Sequence, residues 1–91
     1  MATVKQPKID KQYRGNYFIA ITRCEKMYNT MCGFSKQGLT EHLESSERVH
    51  GAGFQTVQTY EGVSCSAVAR IEKAARELEA GKKPDLEKVL E

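Results

Sequence analysis

The sequence predicts an α+β domain, a three-stranded, mainly antiparallel sheet with packed helices in the order β-β-α-β-α-α. Three observations carry this. Two strand-like stretches lie a short turn apart, around Tyr17–Ile21 and Tyr28–Phe34. A run rich in aromatic and β-branched residues, Phe54 to Tyr60, follows the break Gly51-Ala52-Gly53. Segments with apolar residues three and four apart lie between and after these strands, which is helical spacing.

Met1 to Arg14 is polar, contains Pro7 and has no apolar period, so it reads as an arm. Lys5, Lys8, Lys11 and Arg14 stand there against Asp10, a basic bias suited to phosphates or simply to a solvated chain end. Residues 15–91 read as one domain, since 91 residues give a single modest core.

In the first strand Tyr17, Ile19 and Ile21 alternate with Phe18 and Ala20, as in a central strand covered on both faces. Glu25-Lys26 fits a turn, and Tyr28, Thr30, Cys32 and Phe34 line one face of the second strand, with Met31 on the other. The short connection makes the pair an antiparallel hairpin.

Ser35 is a suitable N-cap for the first helix, although Gly38 weakens its first turn. Leu39 and Leu43 give this helix one apolar stripe, and it is expected to fray by Ser45-Ser46 or shortly after. Ser64 and Ser66 are candidate caps for the strongest helix. Its stripe is Val68, Ile71, Ala75 and Leu78, and Gly81 is a good residue just past its end. Pro84-Asp85 is expected to open a short terminal helix with Leu86, Val89 and Leu90 on one side. The closing Leu90-Glu91 is compatible with a cloning remnant and carries little functional weight.

The net charge of +2 does not announce a nucleic-acid binder. Cys24, Cys32 and Cys65 form an odd set without a C-x-x-C pair, and no secretory apolar region precedes them, so a reduced, cytoplasmic protein is expected. Their spacing relative to His42 and His50 does not fit zinc, and small apolar packing accounts for them better. No apolar run reaches the ~20 residues of a membrane helix. Nothing resembles a nucleophile triad, a cofactor loop or paired catalytic acids.

Gly15-Asn16-Tyr17 on the first strand, Met31-Cys32-Gly33-Phe34-Ser35 entering the first helix and Arg70-Ile71-Glu72-Lys73 on the later helix occur in a telling order. That order resembles the GIY-YIG endonuclease domain over residues 15–78. Gly15, Tyr17, Gly33, Ser35 and Glu72 match the family's motif positions. Asn16 replaces an aliphatic residue, and Met31-Cys32 replace the second motif's tyrosine and apolar residue. The family's helix arginine has no clean counterpart; Lys36, His42 and Arg48 are the nearest substitutes.

The resemblance implies a DNA-processing protein capable of metal-dependent phosphodiester hydrolysis. Tyr17 or a nearby base would activate water, His42 is a further catalytic candidate as a substitute for the arginine, and Glu72 would hold Mg²⁺ or Mn²⁺. Arg23, Lys36 and Arg48 would hold DNA phosphates, while Gly15, Gly33 and Ser35 shape the strands and helix start. A single carboxylate with waters and a substrate phosphate is a normal Mg²⁺ site. Without the arginine, transition-state charge loses a donor, which commonly costs ~100–1000-fold in rate.

Ordinary structural readings stand beside these. Tyr17 fits core packing, and Glu72 fits a surface pair with Arg76 four residues on. The alternative function is a non-catalytic DNA- or protein-binding regulatory module on a degenerate nuclease frame. Glu41, Glu44 and Glu47 would face a basic protein partner in that case, or simply water.

Overall fold

The computed structural model describes residues 6–91, so Lys5 of the basic arm lies outside the described residues. Three strands form one antiparallel sheet: β1 (Arg14–Cys24), β2 (Met27–Gly33) and β3 (Phe54–Val63), in the order β2-β1-β3. Helix α1 (Lys36–His50) joins β2 to β3, and α2 (Cys65–Glu79) follows β3. The expected α+β layout is therefore present, with β1 central.

Alternation along β1 divides the structure into two layers around the sheet. Ile19 and Ile21 join Tyr60 and Val63 in the main core, sealed by Ala67, Ile71, Ala74 and Ala75 of α2. Ala20 and Thr22 are buried on the opposite face, where α1 packs. Leu39 of α1 is buried there, and Ser46 Oγ lies 3.5 Å from the sulfur of Met31, the residue paired with Ala20. A sheet with one helix on each face explains why both residue sets of β1 are apolar or small.

The helix starts follow their caps. Ser35 Oγ accepts from the Gly38 backbone N–H at 3.0 Å, and Ser64 Oγ accepts from Ala67 N–H at 3.3 Å. Ser64, not Ser66, is thus the cap of α2. Helix α1 runs past the expected fray point to His50, because Ser46 is seated against β2. It stops at Gly51, whose φ of 74° suits glycine.

The C-terminal segment differs from expectation. In place of a terminal helix, residues 86–90 form tight turns, with Lys88 N–H donating to the Asp85 carbonyl and Glu91 N–H to the Lys88 carbonyl. Bonds to distant partners hold these turns. The Tyr60 hydroxyl donates to the Leu86 carbonyl at 2.6 Å, and Arg70 Nε donates to the Val89 carbonyl at 3.0 Å. Leu90 is only 1% exposed and belongs to the main core.

The segment before β1 also docks. Pro7 is buried, Asp10 N–H donates to the Leu90 carbonyl at 2.9 Å, and Lys11–Tyr13 form one 3₁₀ turn capped by Asp10. Arg70 Nη1 donates to the Tyr13 hydroxyl at 2.8 Å, and its guanidinium lies 5.0 Å from that ring's centre. From Gln6 onward, therefore, the basic arm is continuous with the domain's packing. Among the described residues no helix is long and apolar enough to cross a membrane.

Candidate functional site

The face of the sheet covered by α2 carries Tyr17, Cys32 and Glu72. Tyr17 shares the parity of Ile19 and packs at the edge of the main core. Its ring lies 5.4 Å from that of Phe34, tilted by 45°. Cys32 pairs with Ile19 across the hairpin and so faces the same side. Glu72 lies one residue past the buried Ile71, half exposed at the border of the α2 stripe.

Glu72 lines a shallow pocket of about 110 Å³ with Tyr28, Asn29, Thr30, Ala75 and Arg76. The surface pair with Arg76 expected from their spacing is not closed. Among the described residues the salt bridge found is Lys36–Glu61, and Glu72 takes part in none. A half-exposed carboxylate thus shares an open pocket with a guanidinium that does not bind it directly. Arg76 lines this pocket although the four-residue spacing from Glu72 points only to surface pairing.

Cys32 lies near enough to feel both Glu72 and Cys65. The Cys32 thiol is pushed above its ordinary value first by partial burial, then by the Glu72 charge and by Cys65. A thiol held protonated is a poor nucleophile and a poor metal ligand. All three cysteines are free, and no group of three or more His, Cys, Asp or Glu among the described residues is gathered to hold a metal. A metal here would rest on Glu72 alone, with water and a ligand completing its shell. The hard oxygen of a carboxylate, open to solvent, fits one Mg²⁺ or Mn²⁺ on those terms.

The remaining candidates are dispersed. His42 is exposed on α1, across the sheet from Glu72. Lys36 opens α1 and pairs with Glu61 at 3.7 Å. Arg48 lies in the last turn of the same helix, where a cation favours the helix dipole, and lines a groove with Glu44, Glu47 and Phe54. Arg23 stands at the hairpin end of β1. Its Nε donates to the Glu25 carbonyl at 2.8 Å, and its guanidinium lies 5.8 Å from the centre of the Tyr28 ring. This braces the turn in which Glu25 adopts a φ of 58°. Arg23, Lys36 and Arg48 thus occupy separate parts of the surface.

Gly15 and Gly33 have local structural reasons. A Cβ on Gly15 would come within 2.7 Å of Ser64 Cα and of the Val63 carbonyl, where the start of β1 crosses the end of β3. A Cβ on Gly33 would meet the Leu39 nitrogen at 3.1 Å, where α1 folds back on β2. Both glycines permit close backbone approach.

No family model, curated protein or solved structure matches this chain.

Proposed function

We propose that this chain is a small DNA-processing protein on a GIY-YIG-like frame, with its reactive face on the α2 side of the sheet. The observation that carries the reading is the open pocket in which Glu72, free of ion pairing, lies beside Arg76. Glu72 would hold Mg²⁺ or Mn²⁺, which supplies Lewis-acid stabilisation of the phosphate when bound. Arg76 contributes positive charge where the phosphate becomes more negative, a role open in the sequence motif. Tyr17 shares that sheet face but lies outside the Glu72 pocket, further along β1, so its hydroxyl would serve only a substrate that extends along the sheet. The chain's three free cysteines fit a reducing, cytoplasmic setting.

Plasmid nicking at low salt with Mg²⁺ or Mn²⁺, comparing wild type with Glu72→Ala, tests the reading. Cleavage by wild type and its loss in a folded mutant are expected. Equal cleavage by both would remove Glu72 from the mechanism.

A second reading is a non-catalytic binding module. It is favoured by the separation of Arg23, Lys36 and Arg48 and by the exposed Glu41, Glu44 and Glu47 of α1. An acidic helix face repels DNA and suits a basic protein surface. No cleavage by wild type, together with salt-sensitive capture of a basic protein and no DNA binding, would select it.

A further inference from the structure

Among the described residues Phe34 is the most exposed large apolar side chain, at 80%, although it directly follows a strand. The strand ends at Gly33, and α1 begins at Lys36 and runs over the other face of the sheet. Phe34 is therefore left exposed at the end of the sheet, and among the described residues its ring contact is with Tyr17 at 5.4 Å. The tilted pair supports one ring and leaves much of the other open.

The charges around this end are mixed but favour an anion. Lys36, two residues from Phe34, has a side chain 75% exposed and reaches Glu61 only at 3.7 Å. Such an exposed pair is weak and readily exchanged for another anion. Arg14 is also exposed and lines a groove of about 340 Å³ with Glu61, Gly62, Pro7 and Ile9. Two cations thus flank one acid at the sheet end where the aromatic pair is presented.

We propose that Phe34, supported by Tyr17, is a stacking platform for an unpaired base of single-stranded DNA, with Lys36 and Arg14 holding neighbouring phosphates. An aromatic face beside exposed cations is the arrangement that binds single strands with little sequence preference. A duplex, whose bases are already stacked, cannot use the platform. The inference rests on the DNA reading above for its class of partner, but on residues other than Glu72 and Arg76.

The test is fluorescence anisotropy at low salt with three labelled probes: a short oligothymidylate, an abasic strand of equal length and a duplex. Wild type is expected to bind the oligothymidylate more tightly than the other two. Phe34→Ala is expected to weaken that binding by roughly 5- to 150-fold, the usual span for one stacked base, and to erase the preference over the abasic strand. Phe34→Tyr should retain the preference. Lys36→Gln should weaken binding to the oligothymidylate and abasic strand alike and lower the salt dependence.

Equal wild-type affinity for thymidylate and abasic strands would overturn the proposal. So would stronger duplex binding, unchanged binding by Phe34→Ala or no binding at all. Loss of the thymidylate preference would fail the platform, whereas absence of plasmid nicking would fail the nuclease, so the two failures are distinguishable.

Discussion

The Tyr60 hydroxyl donates a 2.6 Å hydrogen bond to the Leu86 carbonyl and so ties β3 to the C-terminal turns. Tyr60 is fully buried, and its ring lies in the same cluster as Ile71 and Leu90. Tyr60→Phe keeps the ring but leaves the carbonyl without this donor. The expected cost is about 1–2 kcal/mol, read as a fall in Tm of roughly 4–8 °C per kcal/mol for a domain of this size. An unchanged Tm would mean that the Leu86 carbonyl finds another donor.

The same hydroxyl predicts an alkaline limit. Burial, and then the Asp85 charge, push the Tyr60 hydroxyl well above its ordinary value. The folded state thus holds this proton more tightly than the unfolded one. The stability it contributes is fully present below the unfolded tyrosine value of about 10 and is lost as pH rises from there towards the folded value. Denaturant midpoints measured from pH 8 to 12 should fall less steeply for Tyr60→Phe than for wild type. Parallel curves would remove Tyr60 as a source of the alkaline loss.

Leu90 gives the C-terminus a measurable role. The side chain is 1% exposed, and its carbonyl accepts from Asp10 N–H at 2.9 Å, so this residue joins both ends of the described chain to the core. Leu90→Ala should cost about 2–5 kcal/mol, seen in urea unfolding. A loss below about 0.5 kcal/mol, the range of ordinary surface substitutions, would show that the terminus docks without stabilising the sheet.

Elements decided by local pattern were legible in the sequence, and those decided by distant contacts were not. Ile19 and Ile21 alternating with Ala20 announced a central strand, and Val68, Ile71 and Ala75 announced α2 by spacing alone. The turns at residues 86–90 depend on Tyr60, Arg70 and Asp10, none of them near in sequence, so a local apolar stripe was mistaken for a helix. Phe34 continued the alternation of β2, but the strand ends one residue earlier and leaves it at the surface. Of the candidate site, the shared face of Tyr17 and Glu72 follows from strand parity and helix register. The openness of the Glu72–Arg76 pair does not, because four-residue spacing permits contact without requiring it.

Gly15 has a steric role that can be tested independently of any chemistry. A methyl group there would meet the Ser64 Cα and the Val63 carbonyl, which are backbone and cannot rotate away. Gly15→Ala should destabilise the domain by about 1–3 kcal/mol through overpacking. It should also shift β1 at its contact with Ser64, whose N–H donates to the Tyr13 carbonyl at 2.7 Å. Chemical shifts confined to residues around 13–17 and 63–65 would locate the strain. An unaltered midpoint would mean that β1 and β3 separate there at little cost.

Arg76 carries the sharpest test of the proposed chemistry. It lines the Glu72 pocket without closing an ion pair, and it is exposed, so its removal leaves the core intact. If Arg76 stabilises phosphate charge, Arg76→Ala should lower metal-dependent nicking by ~100–1000-fold while stability changes by no more than about 0.5 kcal/mol. Arg76→Lys should recover only part of the rate, because an ammonium keeps the charge but not the planar, forked donors of a guanidinium. The comparison separates two roles for the pocket. A charge that merely attracts DNA would appear in binding and its salt dependence, whereas a transition-state donor would appear in the cleavage rate under saturating DNA. A full rate in Arg76→Ala would return the arginine role to Lys36, His42 or Arg48. Because α1 holds all three away from the Glu72 face, each would then have to reach the same phosphate around the edge of the sheet.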